Sequence, residues 1–434
     1  MLQVTDDLIR NVVQEVLGHM KGKHVVASSR HPDSSPQGGQ EHGWGVFDNV
    51  DAAVKAAVKA QKKLEALGLD ARKKATDCIR KICIEQATPL GQEEFDETKI
   101  GRLKHKIEKL VTAGEKSPGV EFLRTAAFGS MNNLTLEEYA PFGIVGTITP
   151  VTHSLPTLAN NCISMIAAGN AVVCNPHPAG ARVACHGVQL FNQAMHKAIG
   201  VENLVVIIGK PTLESAQAIF DHRDVRLLCV TGGPAVGRAA LRSPKRAIVA
   251  GPGNPPVVVD ETADLDNAAK SIIYGAAYDN NLLCIGEKEV FVVASVFEEM
   301  MDTMTKYKAV RLTADQIAKL TKAAFVPVSE SEPRKGGTPG HGKLAVNKDL
   351  IGVDAAVLAK HAGVNVPADT EIVFGETNES HPFVDHEQMM PFVPFVKCAD
   401  VDVAIALAKK YEHGFKHTAI IHSRNVDTIT RMGR

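Results

Sequence analysis

Gly143-Ile144-Val145-Gly146-Thr147-Ile148 is a short apolar run flanked by glycines, and it reads as a buried strand. The pattern downstream of it decides the fold. A helical pattern covers Leu155 to Ala168, then come a strand at Ala171 to Cys174, a helix at Ala179 to Ile199 and a strand at Leu204 to Ile208. A helix at Leu213 to Phe220 and a strand at Val225 to Val230 continue the alternation, which closes on Thr231-Gly232-Gly233. Short apolar strands alternating with longer helices predict an α/β fold built on a parallel, doubly wound sheet. Such sheets take ligands at the carboxyl ends of their strands. The turns to examine are therefore Thr149 to His153, Asn175 to His177 and Thr231 to Gly237.

A second α/β region begins near Ile248. It has a strand at Val257 to Val259, a helix at Leu265 to Tyr278, a loop carrying Cys284 and a strand at Val290 to Val293. Helices at 296–309 and 313–324 lead to a Gly/Pro-rich loop, Ser329 to Gly342, and strands and helices continue through Ile420 and Ile421. Upstream of the first sheet, Asp48 caps a helix from Val50 to Leu67, a second runs from Asp70 to about Thr88, and a less regular one covers Glu93 to Thr112. Strands at Phe122 to Phe128 and Leu134 to Tyr139, joined by a turn at Met131-Asn132-Asn133, predict a projecting hairpin of the kind that serves assembly.

The first residues are different in kind. Leu8, Ile9, Val12, Val13, Val16 and Leu17 form one apolar stripe on a helix from Val4 to Leu17, with Thr5 as its cap and Gly18 as its stop. His19 to Gly45 has no periodicity and is rich in Gly, Ser, Pro, His and Gln, as a flexible linker is. A tethered helix of this kind either docks in a groove on another protein or packs on its own body or a copy of it. The expected division is a helix at 1–18, a linker at 19–45, one α/β domain from 46–118 and 140–247, the hairpin at 119–139 and a second α/β domain at 248–434.

Composition narrows the class. The 434 residues are too many for one core, 44% are apolar, and the net charge is −1. That balance offers no basic surface to nucleic acid. The longest apolar runs, such as Leu204 to Ile208, are far too short to cross a membrane, and Asp6 and Asp7 break any secretory pattern at the start. The eight cysteines include no CxxC pair and none at zinc-ligand spacing from His, which points to a reduced, cytosolic setting and to no structural metal.

Cys284 lies in Asp279-Asn280-Asn281-Leu282-Leu283-Cys284-Ile285-Gly286-Glu287, where a loop meets the strand Val290 to Val293. A thiol so placed either packs as a small hydrophobe or attacks a carbonyl carbon, with free backbone N–H groups receiving the oxyanion. Gly232-Gly233-Pro234-Ala235-Val236-Gly237 follows a strand and opens a helix, which suits a pyrophosphate at backbone amides or simply a tight connection.

Taken in order, these landmarks resemble the aldehyde dehydrogenase superfamily. Pro141 to Gly146 with Ile148-Thr149-Pro150 is similar to its PFG-VG-ITP stretch, and Ala168-Gly169-Asn170-Ala171-Val172 to its AAGN-V strand entry. Thr231-Gly232-Gly233 with Val236-Gly237 is similar to its TG-VG turn, and Asp260 to Asp266 to the acidic stretch after the next strand. Glu387 with Met390-Pro391 and Pro394 resembles the segment that reaches the nicotinamide ribose, and Cys284 falls at the family's nucleophile. The order is kept over most of residues 45–430.

Departures from the family pattern refine the resemblance. Hydrolysing members keep a Glu where Val249-Ala250-Gly251-Pro252-Gly253-Asn254-Pro255-Pro256 has Ala250, and water attacks a thioester only when something takes its proton. Asn175-Pro176-His177-Pro178 replaces the lysine-bearing turn for the adenine ribose and, with the run from Gly251 to Pro256, resembles the coenzyme-A-acylating branch. Within it, the likeness is to the propionaldehyde dehydrogenases of bacterial microcompartments and their ethanolamine-pathway relatives, some of which carry a terminal helix on a linker that targets the shell lumen.

The resemblance implies oxidation of a short-chain aldehyde by NAD to an acyl group on Cys284, followed by ping-pong transfer to coenzyme A. It also implies oxyanion donors at the Cys284 N–H and Thr152, and coenzyme contacts from Thr149, Pro150, His177, Pro178, Thr231, Gly232, Gly233, Val236, Gly251 and Glu387. His153 is a helix-start residue or a donor or base, and Glu387 is a ribose ligand or an ordinary surface carboxylate. A homo-oligomer, dimer or tetramer, and a shell-protein partner for the first helix are expected within a microcompartment. The family continues past Arg434 with a segment completing the site mouth, so a truncated chain is also an expectation. The remaining alternatives are a hydrolysing dehydrogenase and a silent scaffold that keeps the fold.

Overall fold

The computed structural model describes residues 42–327 and 344–434. The helix Val4 to Leu17, the linker as far as residue 41 and the loop Ser329 to Gly342 lie outside the described residues.

Two six-stranded sheets, each parallel throughout, carry the fold. The first has the order 46–47, 205–208, 171–176, 144–149, 225–231, 246–250. Ile144–Thr149, Ala171–Pro176 and Val205–Ile208 are buried at every position, because helices cover both faces and leave no side on which a polar residue reaches water. The chain steps outward from 144–149 through 171–176 to 205–208, then returns to the other side of 144–149 with Val225–Thr231. The order therefore reverses beside the carboxyl ends of 144–149 and 225–231, where such sheets open a crevice.

The expected helices at 50–67 and 70–88 form one run, Val50–Glu85, broken at Gly68 (φ 77°, ψ −166°). Its cap is Asn49, not Asp48: Asn49 Oδ1 accepts the Ala52 N–H at 3.0 Å, while Asp48 pairs with His42. The irregular stretch resolves into two helices, Ala87–Thr98 and Leu103–Lys116, separated by Lys99 and Gly101 at positive φ. Strands Ala126–Gly129 and Leu134–Glu137 form the hairpin, a two-stranded sheet of its own. Phe128, Met131, Leu134, Leu136 and Tyr139 on it are all more than half exposed. The first hairpin strand starts later than its sequence indicates, since Val120–Phe122 is a single 3-10 turn.

The second sheet has the order 309–311, 372–377, 392–398, 289–293, 256–259, 420–422. Helix Leu265–Ala277 packs on it, capped by Asp264. The helix expected at 296–309 ends at Met304, because the chain turns there into the edge strand Ala309–Arg311. Among the described residues no helix is long and apolar enough to cross a membrane, and no group of His, Cys, Asp and Glu is placed to hold a metal.

Candidate active site

Cys284 is delivered by a turn of unusual backbone. Asp279, Asn280 and Asn281 have φ of 51°, 57° and 64°, three left-handed residues in succession. Asp and Asn adopt this conformation at lower cost than other non-glycine residues, yet it still needs support. Asn280 Nδ2 donates to the Gly352 carbonyl and to Asp354, both at 2.9 Å, and Asn281 Nδ2 donates to the Glu287 carbonyl at 3.0 Å. Lys288, fully buried, donates to the carbonyls of Asn281 (2.8 Å) and Leu283 (3.0 Å) and to the Asn281 side chain. The loop is thus tied down on both sides of residue 282.

Gly253 presses against the Cys284 backbone. A Cβ there would fall far inside 3.0 Å of the Cys284 carbonyl oxygen and 3.3 Å from both its carbon and His417 Cδ2. Only glycine allows this approach. The Gly253 N–H is also a hydrogen-bond donor to Glu387. Gly251, two residues earlier, comes directly after the strand Arg246–Ala250, so one short segment joins the edge of the first sheet to the thiol loop.

The electrostatics describe a resting thiol. Burial pushes the Cys284 thiol above its ordinary range and the Glu387 charge adds to that, while Lys288 and the Cys284 N–H oppose it. Burial raises the Glu387 carboxyl, with Lys288 and the Gly253 N–H opposing. Burial brings the Lys288 ammonium down to about 8, against the charges of Glu387 and Cys284, and pushes the Glu287 carboxyl up to about 7. The charge of Glu387 thus acts on the thiol, while burial weakens the hold of Glu387 on that charge.

The other residues singled out from sequence lie along the carboxyl edge of the first sheet. Thr149 ends its strand with its hydroxyl 3.9 Å from Cys174 Sγ, turned into the sheet, and its carbonyl accepts the His177 N–H at 3.1 Å. Pro150 comes next in the chain. His177 is exposed and its Nδ1 accepts the Ala179 N–H at 3.1 Å, so it caps the short turn Pro178–Gly180. Thr231 ends the next strand, and the Gly232 N–H donates to the Ala250 carbonyl at 3.3 Å. Gly233 caps the helix Pro234–Arg242, which has no side-chain cap, and Val236 lies in its first turn. Open space adjoins Gly232, Gly233 and Gly251. That open cradle, at a helix N-terminus beside the sheet's reversal point, fits a dinucleotide pyrophosphate.

Thr152 stands between the two groups. Its hydroxyl is 3.1 Å from His153 Nε2, and its carbonyl accepts from Lys106 (2.7 Å) and Lys109 (3.2 Å). Burial and the two lysine charges hold the His153 imidazole well below its usual pKa, and its Nδ1 is buried with no partner. A neutral ring is a poor base here and a sound orienting partner for the Thr152 hydroxyl.

Sequence reasoning passed over Gly253, Lys288, His417, Lys106, Lys109 and the role of Asp279. One signal was present: Glu287-Lys288-Glu289 is a charged triplet running straight into an all-buried strand, which only paired charges survive.

Proteins of named activity resemble this chain over most of its length. An acetylating acetaldehyde dehydrogenase, EutE, from Salmonella typhimurium is 43% identical, with 98% of this chain and 86% of that protein aligned. A Rhodopseudomonas palustris propionaldehyde dehydrogenase, solved with bound CoA and an acylated cysteine, superposes with a TM-score of 0.83 at 40% identity, covering 90% of this chain and 86% of the other. A propionaldehyde dehydrogenase from the fucose utilisation microcompartment of Clostridium phytofermentans gives a TM-score of 0.84 at 40% identity, again over 90% and 86%. The sequence profile of the aldehyde dehydrogenase family matches residues 45–434, a span that holds both sheets, the hairpin and the cysteine loop, and the chain belongs to that family.

Proposed function

We propose that this protein oxidises a short-chain aldehyde, of the acetaldehyde or propanal class, to its acyl-CoA with NAD+, using Cys284 as the nucleophile. The observation that carries the reading is a half-buried thiol on a clamped loop, one glycine contact away from the strand ends, where residue 250 is an alanine. The named activities of similar proteins, acetylating and CoA-bound, support the same chemistry.

The steps follow from the residues. Cys284 gives up its thiol proton to solvent, its Sγ attacks the aldehyde carbon and the carbonyl π pair moves to oxygen, where the Cys284 N–H and the Thr152 hydroxyl receive it. Bound in the cradle formed by Thr231, Gly232, Gly233, Val236 and Gly251, with Thr149 and Pro150 on the adjacent strand end, NAD+ would supply the hydride acceptor. Glu387, whose charge acts on the Cys284 thiol, is suited to a ribose hydroxyl. Loss of the hydride leaves a thioester on Cys284. With no carboxylate at residue 250 to take a proton from water, the acyl group waits for the thiolate of coenzyme A, which adds, collapses and expels the Cys284 thiolate.

The exposed apolar hairpin serves as a subunit contact in a homo-oligomer, since Phe128, Leu134 and Leu136 gain nothing by facing water. The segment 1–18 docks on a shell protein of a bacterial microcompartment, in keeping with the microcompartment origin of one similar structure. Deleting residues 1–20 is expected to leave turnover intact and abolish co-fractionation with shell proteins; retained co-fractionation refutes the docking role.

The central test is mass spectrometry of the intact protein with propanal and NAD+. An acyl adduct should accumulate on Cys284 and vanish on addition of coenzyme A with release of propanoyl-CoA. Acid release without coenzyme A, or an adduct elsewhere, refutes the reading.

A further inference from the structure

Between the two sheets, behind both the Thr152 segment and the cysteine turn, lie four charged side chains that the reaction does not consume. Glu94, Lys106 and Asp279 are wholly buried and Lys109 is 9% exposed. Glu94 comes from helix Ala87–Thr98 and the two lysines from helix Leu103–Lys116, all on the first unit, whereas Asp279 opens the left-handed turn of the second.

Their contacts run in two directions. Toward the first unit's loop, Lys106 and Lys109 both donate to the Thr152 carbonyl, and Glu94 accepts the Ser154 N–H at 3.1 Å, at the first turn of helix Ser154–Ala167. Toward the second unit, Asp279 Oδ2 accepts from Lys109 at 2.5 Å and lies 3.4 Å from Lys106, and Asp279 Oδ1 accepts the Arg102 N–H at 2.7 Å. The Asp279 N–H donates to His105 Nδ1 at 2.8 Å. Gly101 is a glycine at φ 80° because the Asp279 carboxylate fills the space a side chain would need. Lys106 also lies 3.7 Å from Glu94, which closes the set.

Stability alone does not account for such an arrangement. Burying charges in pairs is costly, and apolar residues of the same volume often serve a fold as well or better. What charges provide is direction: two ammonium groups converge on one carbonyl oxygen, and a carboxylate fixes where they stand. The same carboxylate pins the first of the three left-handed residues that lead to Cys284.

We propose that Asp279, Lys106, Lys109 and Glu94 are positioning residues that hold the Thr152 segment of one unit in register with the cysteine turn of the other, so that the oxyanion donors meet the carbonyl oxygen as the thiol attacks. The proposal rests on the assignment of Cys284 and Thr152 made above. It predicts a specific split. Reactions that build charge on a carbonyl oxygen need the register, whereas alkylation of the thiol by iodoacetamide involves no oxyanion and does not.

The test uses the full chain with propanal, NAD+ and coenzyme A. Lys109→Met combined with Asp279→Asn removes one positive and one negative group together and leaves Lys106 facing Glu94. For this variant kcat is expected to fall tenfold or more, with KM for propanal and the rate constant for Cys284 alkylation each within twofold of the parent. A kcat within twofold of the parent overturns the proposal, and so does an equal fall in kcat and alkylation rate, which marks general damage to the thiol loop. If the double variant does not fold, Asp279→Glu keeps the charge and displaces the carboxylate by one methylene, and the same two outcomes decide. Cys284→Ala, measured alongside, separates the cases: acyl-CoA formation that survives it refutes the nucleophile assignment itself, whatever the positioning variants do.

Discussion

Gly253→Ala is the substitution whose effect the structure specifies most fully. The backbone at Gly253 is outside the positive-φ region, so alanine meets no conformational objection there and the effect is steric. Its methyl would have to move away from the Cys284 carbonyl oxygen by about 0.6 Å to reach the closest separation real Cβ atoms show. The obstacle is backbone on a loop fixed by Lys288 and Asn281, not the tip of a flexible side chain, so the loop itself must yield. Overpacking of this sort costs about 1–3 kcal/mol of stability. A displacement near 1 Å of a reacting group costs roughly 10²-fold in rate, so a fall in kcat of about ten- to a hundredfold is expected. The Glu387 carboxylate, held by the Gly253 N–H, should shift as well and raise KM for NAD+. Steady-state acyl-CoA formation and thermal unfolding of the same preparation give both numbers. A variant that unfolds at the parent temperature and keeps kcat within twofold would show that the contact does not constrain the thiol.

Gly232→Ala is the matched control at the coenzyme cradle: with open space around the new methyl, unfolding should be unchanged, while KM for NAD+ rises about tenfold, or ~1.4 kcal/mol. Initial rates over a range of NAD+ concentration check this. Glu387→Gln removes a charge that helps raise the thiol, so the midpoint of iodoacetamide alkylation against pH should fall; Lys288→Met should move it the other way. Stopped-flow alkylation between pH 6 and 10 distinguishes the two signs. Leu136→Asp on the hairpin should shift gel-filtration elution to a smaller species and leave melting of the isolated chain nearly unchanged, because the side chain is 62% exposed.

The sheets were legible in the sequence because the local and global signals agree. Ile144 to Thr149 and Ala171 to Pro176 are apolar on both faces and are bounded by turns, so strand length and burial follow without knowledge of partners. Cys284 and the edge residues followed from the same periodicity joined to a family likeness. What stayed hidden depends on contacts between distant parts of the chain. Lys109 meets Asp279 across 170 positions, and nothing near either residue announces the other. Asp48 and Asn49 are both good caps, and only the turn preceding them, where His42 takes Asp48, decides between them. Asp279-Asn280-Asn281 opens the cysteine loop in the sequence, but left-handed backbone at all three became evident only from the structure. Nothing in the motif at His177 indicates that its ring accepts the backbone N–H of its own turn.

The partial burial of Cys284 carries a consequence beyond turnover. Sulfenic acid formation and adventitious disulfide exchange both begin from the thiolate. Burial and the Glu387 charge, which push the Cys284 thiol up, should slow its loss to oxidants and stray electrophiles relative to more acidic thiols.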